Sequence, residues 1–153
     1  MIVNVKVQDN NFDVSEELDR LQSGNGSVGA VVNFTGLVRD HYKGKEITAM
    51  ELEHYPGMTE SALQDIAKQA IARWQLQGVS IIHRIGYLKA CDPIVFVAVA
   101  SAHRAEAFQA CAFIMDFLKT DAPFWKKEHS PEGAHWVDAR ETDQQARHKW
   151  LAD

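Results

Sequence analysis

Cysteine and proline are scarce in this chain of 153 residues, with two of the first and four of the second, and no apolar run approaches the roughly 20 residues of a membrane span. Cys91 and Cys111 lie in unlike contexts without C-x-x-C spacing, which fits reduced thiols rather than a disulfide framework or a zinc site. Positive charge is also in deficit. Sixteen Lys and Arg against 21 Asp and Glu give a net charge of -5, the reverse of the basic footprint of a nucleic-acid binder. The first residues carry no signal-peptide pattern, so a cytoplasmic protein is expected. G-x-S-x-G, a glycine-rich phosphate loop and H-E-x-x-H are all missing, and none of the seven histidines pair at metal-ligand spacing. No metal, nucleic acid or membrane partner is therefore expected.

The chain does have apolar residues in amounts that bury a core: 46% are hydrophobic, and the length suits one domain over residues 1–153. Alternation of Val3, Val5 and Val7 with Asn4 and Lys6 predicts a strand, and Ser15 offers an N-cap to a short helix with Glu16 and Glu17 in its first turn. Val28 to Phe34 predicts a second strand, left by a loop over residues 35–40, and residues 41–46 predict an exposed turn. A strand over residues 47–55 ends at Pro56-Gly57. Thr59 then caps a helix carrying Leu63, Ile66, Ala67, Ala70, Ile71 and Trp74 at helical spacing, stopped by Gly78. Val79 to Leu88 predicts a strand interrupted at His83-Arg84 and Gly86. The unbroken run Ile94 to Ala100 predicts a strand buried on both faces.

From Ser101, read as a cap, a long helix follows in which Ala107, Phe108, Cys111, Ile114, Met115 and Leu118 share one arc. Phe113 and Phe117 fall on a second face, for another packing layer or an intersubunit contact. Pro123 ends the helix, Phe124-Trp125 is expected to anchor a turn from which Lys126 and Lys127 project, and a short strand surrounds Trp136-Val137. The polar tail from Glu141 predicts a frayed helix that orders against a partner.

What chemistry these residues offer is cationic: Arg39, His103, Arg104, Lys119, Lys126, Lys127 and Arg140. Arginines suit bidentate phosphate recognition, and a lysine desolvated beside Met115 would have its pKa drawn down toward an acid–base range. Such a set fits an anionic small substrate whose reaction develops negative charge or moves a proton. Each member also has a plainer reading: Arg39 as a solvated loop arginine, Lys119 as a favourable cation at a helix C-terminus, His103 and Arg104 as surface polar residues. His103 and Lys119 are sixteen positions apart, roughly 24 Å along a helix, so one small substrate reaches both only if a second copy of the chain completes the site. Cys111 reads as an inert core thiol, and Cys91, beside a turn, as the better candidate of the two for a reactive thiol. A non-catalytic adaptor holding a phosphorylated ligand would use the same inventory.

The runs Phe34-Thr35-Gly36 with Arg39, Leu52-Glu53-His54-Tyr55-Pro56-Gly57-Met58, His83-Arg84-Ile85-Gly86, Ser101-Ala102-His103-Arg104, Phe113-Ile114-Met115-Asp116 with Leu118-Lys119-Thr120, and Ala122-Pro123-Phe124-Trp125-Lys126-Lys127-Glu128 occur in fixed order. Together they resemble the large catalytic subunit of molybdopterin synthase, the MoaE family, from about Phe12 to Trp150. The resemblance implies an α+β protein of α/β-hammerhead type, with helices packed on a mixed sheet, forming a homodimer and using no cofactor. It implies a partner, a small ubiquitin-like sulfur-carrier subunit (MoaD-like) whose C-terminal Gly-Gly thiocarboxylate enters a pocket and gives up sulfur. Two such deliveries would convert cyclic pyranopterin monophosphate into the dithiolene of molybdopterin. By the same resemblance Lys119 and Lys126 are the catalytic pair, with Lys127 and Glu128 alongside. Leu37, Val38 and Arg39 would bind substrate with His103, Arg104 and Arg140 of the neighbouring protomer, and Phe34 and Met115 would line the pocket.

Overall fold

The structure, a computed structural model, describes residues 1–137 and 141–151. Along the chain run β1 (Ile2–Gln8), α1 (Val14–Gln22), β2 (Ala30–Leu37), β3 (His41–Tyr42), β4 (Lys45–Glu46), β5 (Ala49–His54) and α2 (Met58–Arg73). They are followed by β6 (Leu76–Arg84), β7 (Gly86–Lys89), β8 (Pro93–Ser101), α3 (Arg104–Asp121), β9 (Phe124–Ser130), β10 (Gly133–Val137) and α4 (Glu141–His148). The class is α+β. One mixed sheet has the order β1-β6-β8-β2, with only β1 and β6 parallel, and a second, wholly antiparallel sheet has the order β10-β9-β5-β7.

The apolar run of β8 has its explanation in two layers. Val95, Val97 and Val99 face α2 and α3, whereas Phe96, Ala98 and Ala100 face Leu21 and the rest of α1. A strand between helices on both sides has no polar face to alternate. Gly78 belongs to this packing too. It does not stop α2, which ends at Arg73 with Trp74 as its cap, but sits inside β6, where a Cβ would lie 2.8 Å from Leu21 Cδ2.

The helix starts expected at Ser15, Thr59 and Ser101 fall elsewhere, and of the three only α1 has a cap residue whose side chain accepts from the helix N–H groups. Asp13, not Ser15, caps α1, its Oδ1 accepting from the Glu16 N–H at 3.0 Å. Gly57 precedes α2, with its N–H bonded to Glu60 Oε1. Thr59 is buried instead, accepting from the Tyr55 N–H and donating to the Pro123 carbonyl, both at 2.9 Å. At α3 the cap position falls to His103; Ser101 ends β8 and donates to Glu106 Oε2 at 3.1 Å.

The core stripe of α3 also turns from its expected arc. Phe113 and Phe117 are buried, and Phe108 is 62% exposed. Trp74 of α2 meets Phe113 edge-on at 5.3 Å and Trp150 meets it at 5.5 Å, so the second face of α3 is a packing layer beneath α2 and the tail. The tail helix is held within the chain, by Arg147 on Asp121 at 2.7 Å and by Trp150 Nε1 on Asp116 Oδ2 at 2.7 Å. Residues 35–37, expected in a loop, continue β2 against β8, and Phe124 to Lys127, expected as a turn, belong to β9, which pairs between β5 and β10. In both cases long-range pairing overrides local composition. Residues 41–46 make a hairpin whose Lys43 and Gly44 have φ of 52° and 78°, the pair of positive values a type I′ turn needs. Among the described residues no helix is long and apolar enough to cross a membrane.

Candidate functional site

A cleft of about 550 Å³ opens where the β2 edge of the first sheet, the C-terminal end of α3 and the β5–β9 face of the second sheet converge. Phe34, Leu37 and Arg39 come from β2 and the residues after it, Lys119 from the last turn of α3, and Lys126 and Glu128 from β9. Alternation along β9 puts Phe124, Lys126 and Glu128 on the cleft side. Lys127 goes to the opposite face, where its Nζ lies 5.5 Å from the centroid of the Trp136 ring.

The sequence-predicted residues therefore divide. Phe34, Leu37, Arg39, Lys119, Lys126 and Glu128 share the cleft. Val38 is 1% exposed in the cluster with Ile47, Leu52 and Leu88, its N–H given to the Asp92 carbonyl and its own carbonyl taken by the Cys91 N–H at 2.6 Å. Met115 packs against the main core rather than the cleft. His103 and Arg104 stand at the other end of α3, whose eighteen residues keep them roughly 24 Å from Lys119. Arg140 lies outside the described residues. Lys119 is exposed rather than shielded by Met115.

Sequence reasoning passed over His83 as a site residue. It closes the buried end of β6, 3% exposed, with its ring stacked on Phe124 at 3.8 Å and 19° between planes. Its Nδ1–H donates to the Arg84 carbonyl at 2.8 Å. Burial drives its pKa down from 6.5 to about 3 against the opposing pull of that hydrogen bond, and the positive charges of Lys126, Lys119 and His54 press the same way. The imidazole is neutral at any ordinary pH, and it lines the cleft with both lysines. The available signal was a histidine directly following Ile81-Ile82 in a strand-like run, which marks a buried ring, but the partners that give it meaning are distant in sequence.

No thiol lines this cleft. Cys111 is buried, and burial pushes its thiol up to about 11; Cys91 is exposed on the turn between β7 and β8. Among the described residues no three His, Cys, Asp or Glu gather as a metal site. The arrangement offers two primary amines, the carboxylates of Glu128 and Asp143 and an arginine around a water-accessible slot floored by aromatic and aliphatic side chains. Amines so placed transfer protons, form acyl or imine bonds and stabilise oxyanions.

Residues 7–121 match the family model described as MoaE protein. The molybdopterin synthase catalytic subunit of Escherichia coli is 57% identical over 139 residues, 91% of this chain and 92% of that protein. The protein of the same description from Ralstonia nicotianae is 53% identical over 146 residues, 95% of this chain and 83% of that one. The solved structure of the molybdopterin biosynthesis MoaE protein from Burkholderia ambifaria superposes with a TM-score of 0.84 at 47% identity, covering 99% of this chain and all of the other. On the fold, the cleft and these matches together, the chain belongs to the MoaE family.

Proposed function

We propose that this chain is the catalytic subunit of a molybdopterin synthase. It transfers sulfur from the thiocarboxylated C-terminus of a small ubiquitin-like carrier to cyclic pyranopterin monophosphate and so builds the dithiolene of molybdopterin. The observation that carries the reading is the convergence of Lys119 and Lys126, from separate elements, on one slot with Arg39 and a neutral histidine, without a thiol. A sulfurtransferase whose sulfur arrives on a partner's thioacid needs no nucleophilic cysteine of its own. The wording "catalytic subunit" of the relatives also describes one part of a larger assembly.

In this mechanism the carrier's tail enters the cleft. Its sulfur bonds to a pterin carbon as that carbon's bond to oxygen breaks, the oxygen leaving with the opened cyclic phosphate at one carbon and as water at the other. The bond between that sulfur and the carrier's carbonyl carbon then breaks by attack of water or of the Lys119 amine at the carbonyl, and the carrier leaves as a carboxylate, directly or after hydrolysis of the lysine amide. Lys119 moves the proton or accepts the acyl group, and Lys126 stabilises the oxyanion that develops. Arg39 takes the phosphate of the pterin, joined by His103, Arg104 and Arg140 of a second protomer, because the N-terminal end of α3 cannot reach its own cleft. β2, at the edge of its sheet, and the exposed Phe108 supply surface for that homodimer. The protein works in the cytoplasm.

The test mixes the purified chain with thiocarboxylated carrier and the cyclic pyranopterin and measures the dithiolene product. Lys119→Ala is expected to cut turnover at least about 100-fold, the usual scale for losing a proton-transfer group, with an unchanged circular dichroism spectrum. A Lys119→Ala variant that turns over normally refutes the assignment.

A further inference from the structure

Arg39 is held in an unusual way for a residue offered to an anion. Among the described residues it makes no ion pair; instead its guanidinium carbon sits 4.3 Å from the centroid of the Tyr42 ring. Its backbone is pinned on both sides. Val38 before it exchanges hydrogen bonds with Asp92 and Cys91, and the Asp40 carbonyl after it accepts from the Ile47 N–H at 2.8 Å. Tyr42 is half-buried, packed on the cluster of Val38, Ile47, Leu52 and Leu88, so the ring has a fixed base.

These contacts differ in kind from a salt bridge. A carboxylate would orient the guanidinium but also neutralise it and occupy its N–H donors, which a phosphate would then have to displace. An aromatic face attracts the cation through the ring quadrupole and leaves the charge uncompensated. The hairpin adds a second cation to the same ring, Lys43 Nζ at 5.4 Å, carried on the left-handed turn.

We infer that Tyr42 is a positioning residue for Arg39, presenting its guanidinium to the anionic group of the substrate without spending its charge. The inference rests on the reading of the cleft as the pyranopterin phosphate site. It assigns Tyr42 no contact with substrate and no part in the chemical steps. Its effect therefore falls on binding.

Steady-state kinetics with the cyclic pyranopterin, in complex with thiocarboxylated carrier, separates the possibilities. Tyr42→Leu keeps an apolar side chain on the cluster and removes the ring. KM for the pyranopterin is expected to rise about two- to five-fold, the size of an exposed cation–π contact, with kcat little changed. Tyr42→Phe, which keeps the ring, is expected to restore the wild-type KM. In an Arg39→Ala background, itself raised in KM, Tyr42→Leu is expected to add nothing, because the group it acts through is gone. Should thermal denaturation show Tyr42→Leu to be unfolded, Tyr42→Met refills the same space and carries the same expectation. The inference is overturned if the folded variant without the ring, Tyr42→Leu or Tyr42→Met, leaves KM unchanged while Arg39→Ala raises it. It is equally overturned if Tyr42→Leu raises KM by the same factor with and without Arg39, since the ring would then act through packing alone. If Arg39→Ala leaves KM untouched while dithiolene still forms, this inference fails and sulfur transfer stands. If no dithiolene forms with the wild-type chain, the proposed function itself fails.

Discussion

Mild acid is expected to destabilise this protein through His83 before its carboxylates take up protons, and His83→Phe should abolish that share of the loss. An imidazole whose folded pKa lies below its unfolded value is protonated first in the unfolded chain. Stability is thus full above the unfolded value of 6.5 and declines as pH falls toward the folded value of about 3. The loss from this one residue amounts to just under about 1 kcal/mol at about pH 6 and about 2 kcal/mol at about pH 5. Phenylalanine fits the stack on Phe124 but leaves the Arg84 carbonyl without its donor, a pH-independent cost of roughly 1 kcal/mol. Urea unfolding followed by circular dichroism, at several values between about pH 7.5 and about pH 5, gives the two stability curves. The other six histidines are common to both proteins, so the difference between the curves isolates His83. The variant is expected to start lower, to draw level just below about pH 6 and to be the more stable protein by about 1 kcal/mol at about pH 5. Two curves that stay parallel across the range would mean that His83 is not held neutral, and the electrostatic account of the cleft floor would be wrong.

Gly29 donates its N–H to the Ser101 carbonyl, and a Cβ there would sit within 2.2 Å of the Ala102 backbone oxygen. Gly29→Ala is expected to cost about 1–3 kcal/mol in thermal or chemical unfolding and to raise KM for the pyranopterin, since the displaced backbone carries His103 and Arg104. Cys91→Ser is expected to turn over at a near-normal rate when thiocarboxylated carrier is supplied. A dead but folded Cys91→Ser enzyme would point instead to a sulfur relay through that exposed thiol.

Much of the fold is legible where one residue pattern has one structural solution. The valine alternation of β1, the helical spacing of α2 and the unbroken apolar run of β8 each correspond to the element expected. α3 is harder because apolar residues surround most of its circumference. Its arc cannot be read without knowing that α2 and Trp150 cover Phe113, and that among the described residues Phe108 is left exposed. β9 was hidden for another reason: Phe124-Trp125-Lys126-Lys127-Glu128 has the composition of an exposed turn, and only pairing with β5 and β10 makes it a strand. That pairing also decides which of two adjacent lysines faces the cleft, a fact with no local signature. Within the candidate site, the cations were visible from their chemistry, Lys119 and Arg39 among them. His83 and Tyr42 acquire their roles from neighbours, Phe124 forty-one positions away and Arg39 held by an irregular bend, so type and spacing alone pass them over.

The two-sided burial of β8 makes chain length there a harder constraint than chemistry. Exchanging one aliphatic side chain for another between positions 95 and 100 changes a volume and leaves the neighbours in place. Adding or deleting a single residue would rotate every later side chain into the opposite layer, sending valines where alanines fit and Phe96 into the space beneath α3. Because β8 leads through Ser101 directly into α3, such a slip would also re-aim the helix that carries Lys119. Deletions and insertions in this strand should therefore be lethal to activity even where substitutions are silent.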